Sequence, residues 1–245
     1  MHPLLKQIDN RPIPLPTRPW IMMQKWHDLL FAHWAMAPEQ MRPLVPAQLG
    51  LDLFQGKAYV AVTPFHMSGI RARLFPPVPW LRRFPELNVR TYVRYKSIPG
   101  VYFFSLDAGS LPAVWGAKLG YGLPYVHAKM SVGIGQSHIE YSSHRLQPPG
   151  PADFRGRYRP VSEPRQREKN SIENFLTERY CLYTIRSEKV YRAHIHHPPW
   201  MLQDAEVEIE VNTMAKAAGI VLPAAKPLLH FSRLMEVLVW WPEKA

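Results

Sequence analysis

Apolar and polar residues alternate strictly over residues 85–95 (PELNVRTYVRY), which predicts a β-strand with two unlike faces. Leu87, Val89, Thr91, Val93 and Tyr95 share one face, while Glu86, Asn88, Arg90, Tyr92 and Arg94 share the other. The second face reads either as an ordinary solvated strand surface or as the lining of a polar pocket. Residues 26–34 predict a strand with His27, Leu29, Phe31 and His33 on one side, and residues 58–65 (AYVAVTPF) predict a central strand buried on both sides. Residues 101–107 predict the hairpin partner of the 85–95 strand, with the turn at Pro99 and Gly100. From Tyr125 a second polar stripe runs through His127, Lys129 and Ser131. Further strands are expected at 139–146, 179–185, 189–196, 205–211 and 234–241.

Helices are expected to be few and short. Pro38 suits the first position of one. Ser110 suits the N-cap of another over residues 111–121, with Gly122 just past its end. Residues 170–173 (NSIE) match a capping box, and Asn212 fits the start of a helix stopping at Gly219. Residues 1–19 hold five prolines and read as an extended arm, and residues 147–169 read as a long loop or lid. Many short strands with little alternation of strand and helix predict an α+β fold that is mainly β: a curved antiparallel sheet or closed barrel in a single domain spanning residues 1–245.

Composition narrows the classes. With 47% hydrophobic and 20% charged residues the chain has a globular balance, and 26 prolines against 13 glycines disfavour long helices. The single cysteine, Cys181, excludes an internal disulfide and sits in an apolar run as a packing residue. No apolar run is long enough to span a bilayer as a helix, which points to a cytoplasmic protein. The net charge of +11 raises nucleic acid and anionic membranes as partners. Against both, the basic residues are scattered, and the densest stretch, 155–169, has no DNA-binding motif around it. The expectation is an anionic small-molecule ligand, with neither nucleic acid nor membrane as partner and the oligomeric state open, a homo-oligomer included.

His194, His196 and His197 form the most metal-like cluster, but no spaced cysteine or carboxylate completes a site. Gly133-Ile134-Gly135 lacks the third glycine, the helix and the downstream acid of a dinucleotide site. Neither a nucleophile elbow nor a phosphate-binding loop is present. No metal and no cofactor is therefore expected.

The runs 26–34 (WHDLLFAHW), 46–52 (PAQLGLD), 85–93 (PELNVRTYV), 100–108 (GVYFFSLDA), 175–180 (FLTERY) and 197–200 (HPPW) resemble the YqjF-like family of uncharacterised bacterial proteins. That family is similar to the acetoacetate decarboxylase superfamily, which implies a curved, largely antiparallel barrel around a small-molecule cavity. Glu86 corresponds to that superfamily's active-site glutamate. Its Schiff-base lysine follows a Tyr-Pro pair, whereas here Pro124 is followed by Tyr125 and Val126, and its early arginine falls at His27. The resemblance therefore implies a cavity without Schiff-base decarboxylation. Glu86 and Tyr125 become the candidate proton-transfer or lyase residues, and Asn88, Arg90, His27, Tyr92 and His127 the candidate ligand-binding residues. An oxo acid, an aromatic acid or a quinone-like compound fits that lining. A non-catalytic binding or sensing protein on the same scaffold is the alternative, and a basic surface for nucleic acid or membrane is the third reading.

Overall fold

The computed structural model describes residues 2–78, 83–146 and 150–245. Its strands are β1 (Met22–Met36), β2 (Gly50–Leu51), β3 (Ala58–Ala72), β4 (Arg83–Tyr95), β5 (Ile98–Ala108), β6 (Tyr125–His127), β7 (Lys129–Ile134) and β8 (Ile139–Arg145). They continue with β9 (Ala152–Pro160), β10 (Arg165–Gln166), β11 (Cys181–Arg186), β12 (Lys189–His196), β13 (Met201–Asn212), β14 (Leu228–Val239) and β15 (Glu243–Lys244). Among the described residues three short α-helices interrupt them: α1 (Pro38–Met41), α2 (Leu111–Tyr121) and α3 (Ile172–Thr177).

Hydrogen bonding runs β1–β3–β4–β5–β11–β12–β14 and returns to β1, a ring of strands within one sheet. The ring is not a regular barrel. β11 meets β5 in parallel through Leu182↔Val101 and Tyr183↔Tyr102, and β12 meets β14 only through Ile195↔Val239 and His196↔Leu238. From β14 the sheet continues through β13, β9, β8 and β7, and this part folds back over one side of the ring.

Ring closure and the folding back together bury both faces of β4. Leu87, Val89 and Val93 are sealed against a core that includes Tyr141 of β8 and Phe154 and Tyr158 of β9. The opposite face, with Tyr92, looks into a second core inside the ring alongside Leu29, Phe31 and Phe103. The Tyr141 hydroxyl donates to the carbonyls of Glu86 (2.7 Å) and Phe65 (3.0 Å), and a fully buried ion pair joins Arg145 to Asp107 (3.3 Å) across the layers.

Several sequence expectations change. The β4–β5 hairpin turns at Lys96 and Ser97, both at positive φ, which leaves Pro99 and Gly100 inside β5. The long loop or lid expected at 147–169 instead contains two strands. Residues 147–149 lie outside the described residues, but β9 and β10 occupy most of the rest, and Ala152, Phe154, Gly156 and Tyr158 of β9 point into the core. The arginines alternating with them are held by β13: Arg155 by Glu210 (2.6 Å), Arg157 by Glu208 (2.5 Å) and Arg159 by Glu206 (2.9 Å). A stretch that looks like a charged loop is thus a half-buried strand whose polar face is satisfied by its neighbour.

Asn212 ends β13, and only a 3-10 turn at Lys216–Ala218 precedes Gly219. Ser110 sits at the N-cap of α2 without a side-chain bond, whereas Ser171 caps α3 through Asn174 N (3.2 Å). The N-terminal arm makes one 3-10 turn at Pro3–Lys6 and lies along the ring, with the Leu4 carbonyl facing His196 Nε2 (2.9 Å) and Arg11 donating to the Ile195 carbonyl (2.7 Å).

Candidate functional site

β4 carries Glu86, Asn88 and Arg90 on alternate positions into a cavity of about 610 Å³ inside the ring. All three are buried. β5 supplies Val101, Phe103 and Leu106, β1 supplies Trp26 and Leu29, and α2 closes one side with small residues such as Ala113, Gly116 and Ala117. The cavity is therefore mostly apolar with a few converging polar groups, the usual make-up of a small-molecule site.

Glu86 is the strongest chemical feature. The Tyr125 hydroxyl donates to its Oε2 at 2.9 Å. Burial pushes the Glu86 carboxyl up to about 8; the bond from Tyr125 opposes that shift and the nearby Asp107 adds to it. Near neutral pH the group therefore exchanges a proton readily in a water-poor space. Burial, reinforced by Glu86, also holds the Tyr125 phenol well above its ordinary range, so Tyr125 stays protonated and acts as a hydrogen-bond donor. Four cavity-lining polar atoms have no partner among the described residues: Asn88 Oδ1, Arg90 Nε, the Tyr121 hydroxyl and Trp200 Nε1. Orphaned buried polar groups are costly, and a ligand that bonds them recovers that cost.

Glu86, Asn88, Arg90 and Tyr125 are thus brought together, while the remaining sequence candidates lie elsewhere. His27 is outside the cavity lining, where it contacts Ser68 Oγ (2.7 Å) and stacks on His66 (4.8 Å). The reason is an irregularity in β1. The register with β3 slips between His27 and Ala32, and Asp28 adopts a φ of 49°. Trp26 and Leu29 therefore both face the cavity and His27 faces away. Tyr92 points inward but lies behind the lining, its hydroxyl 2.6 Å from His33 Nε2. His127 ends β6 opposite Ala108, also outside the lining.

The lining residues missed from sequence include Tyr121 and Arg179. Tyr121 is the last residue of α2, where an aromatic ordinarily packs. Arg179 lies between α3 and β11 and is held by Asp52 and by the Phe175 carbonyl (2.6 Å). Asp52 also binds Arg94, and its backbone N–H reaches the Tyr92 carbonyl (3.0 Å), so three separate segments, Asp52, α3 and β4, fix this arginine. No local periodicity marks such a constellation. No lysine is among the described lining residues.

Residues 23–236 match the family DUF2071, described as an uncharacterized conserved protein. The chain belongs to this family. The DUF2071 chain is 46% identical over 237 residues to the uncharacterized protein YqjF of Bacillus subtilis (strain 168), covering 97% of this chain and 98% of that one. Among solved structures it is similar to an acetoacetate decarboxylase from Legionella pneumophila (TM-score 0.62, 12% identity, 99% and 94% of the two chains covered). It is also similar to the enduracididine biosynthesis enzyme MppR, solved with the condensation product of pyruvate and imidazole 4-carboxaldehyde (TM-score 0.63, 9% identity, 93% and 90% covered). At these identities the likeness establishes an acetoacetate decarboxylase-like fold for this DUF2071 protein and nothing about its chemistry.

Proposed function

We propose that this protein binds a small organic molecule (an oxo acid, an aromatic acid or a quinone-like compound) in the ring cavity and moves a proton to or from it through Glu86, with Tyr125 as hydrogen-bond donor. The observation that carries this reading is the buried Glu86 carboxyl, raised to about 8 at the wall of an otherwise apolar cavity. The absence of a lysine from the described lining supports chemistry other than Schiff-base decarboxylation. A carboxyl that titrates near neutrality beside a protonated phenol suits proton abstraction or return next to a carbonyl, with the phenol bonding the developing oxyanion.

A panel of oxo acids, aromatic acids and quinones tested for turnover and for thermal stabilisation checks the proposal. A ligand of the wild type still binds Glu86→Gln, while turnover falls by about a hundredfold or more. Equal turnover in both proteins removes Glu86 from the chemistry. Binding without turnover in the wild type favours the alternative, a non-catalytic binding or sensing protein, which the lack of any nucleophilic amine in the described lining also supports.

A further inference from the structure

The cavity has two chemically opposite ends. Glu86, Tyr125 and Tyr121 lie at one, and Arg90, four residues along β4 from Glu86, lies at the other, about 13 Å away at the rise of a strand. Arg90 is 9% exposed, makes no ion pair among the described residues, and has an Nε without a partner. Its guanidinium sits over aromatic faces, 5.2 Å from the Phe31 centroid and 6.0 Å from that of Tyr92. Arg179 packs on the same Tyr92 ring at 5.0 Å and on Phe175 at 4.2 Å, and it also lines the cavity.

One carboxylate, Asp52, serves both Arg179 and Arg94. Arg94 is half exposed and solvated, but Arg90 and Arg179 are buried, so this end of the cavity carries more positive charge than its own residues neutralise. Burying an unpaired guanidinium is expensive, and an anion with two oxygens is the partner whose geometry matches a forked donor.

We infer that Arg90 and Arg179 form an anion subsite, and that the ligand is an elongated molecule with a carboxylate at this end, a flat apolar body beneath the aromatic walls, and a carbonyl or hydroxyl oxygen at the Glu86 end. This rests on the cavity being the binding site proposed above and adds the ligand's charge, length and polarity. A short oxo acid fills only one end; a longer aromatic acid spans both. The stacked guanidiniums, already held by aromatic faces and by Asp52, bind the carboxylate without first having to be ordered.

Four probes of known length and charge test it by isothermal titration calorimetry: 4-acetylbenzoate, 4′-acetylbiphenyl-4-carboxylate and the methyl ester of each. The expected result is that the biphenyl acid binds about tenfold or more tighter than either the shorter acid or its own ester. Arg90→Met, which removes no ion pair made by the described residues, abolishes the preference for acid over ester and raises the unfolding temperature of the empty protein. Arg179→Lys, keeping the charge without the fork, reduces that preference severalfold. Acid and ester binding alike to the wild type and to Arg90→Met overturns the anion subsite while leaving the cavity reading intact. An unchanged preference in Arg179→Lys removes Arg179 from the subsite. No binding by any probe at millimolar concentration overturns the subsite and the cavity reading together.

Discussion

Glu86 shows how much of this protein's character depends on single buried groups. Its folded-state pKa of about 8 lies above the ordinary 4.5, so the folded protein holds a proton that the unfolded chain releases. The sign follows: the contribution of Glu86 to stability falls as pH rises from about 4.5 to about 8 and levels off above that. The buried histidines work the other way. His66 is lowered to about 3, and His194 and His196 to about 4, chiefly by burial, so the unfolded chain takes up protons first and stability falls as pH drops below 6.5. Chemical denaturation across pH is therefore expected to give a maximum near about pH 6.5, with Glu86→Gln abolishing the decline between about pH 6.5 and 8. An alkaline slope unchanged in that variant would assign it to another group. Glu86 is legible in sequence as one polar position of an alternating strand. Its pKa is not, because burial, Tyr125 and Asp107 come from three different segments.

At the scale of elements, the strands follow from alternation and the departures from it come from contacts between strands. Residue 100 is an example. A Cβ there would lie 2.7 Å from the Cys181 carbonyl and 2.6 Å from the Tyr183 ring, so the close approach of β11 to β5 needs glycine. That approach is the parallel seam of two residue pairs, a weak link in the ring. Gly100→Ala is expected to destabilise the protein by about 1–3 kcal/mol, a fall of several degrees in Tm for a chain of this size. An unchanged Tm would mean that β11 shifts without strain. The β1 irregularity belongs to the same scale: the run WHDLLFAHW alternates well enough to predict a strand, but Asp28, ion-paired with Arg233 at 2.7 Å, resets the parity and turns His27 out of the cavity. β9 was hidden for the opposite reason, since its arginines imitate a loop until β13 supplies their glutamates.

For the whole molecule, the net charge of +11 has to be read with its distribution. The densest basic stretch is spent on the β9–β13 ladder and on Asp204, which receives Arg167 at 2.5 Å and Arg165 at 3.5 Å. Such exposed pairs add little stability each, but they reduce the field that a polyanion would meet. Duplex DNA titrated at physiological salt is therefore expected to bind no more tightly than the non-specific range, about 10⁻⁴ to 10⁻⁶ M. Tight, steeply salt-dependent binding would restore the basic-surface reading. Among the described residues no helix is long and apolar enough to cross a membrane.

The sequence by itself determined the mainly β character, the two-faced 85–95 strand, the family resemblance and the presence of Tyr125, not a lysine, after Pro124, because these depend on local periodicity and residue identity. Tertiary structure decided the rest. Closure of the ring turns Glu86, Asn88 and Arg90 from an ordinary polar strand face into a cavity wall, and the sheet folding over the ring buries the other face of β4. Arg179 reaches the same cavity through Asp52, 127 residues away in sequence. Burial and long-range pairing are properties of the assembled chain, so the charge state and completeness of the site could not be read from any one segment.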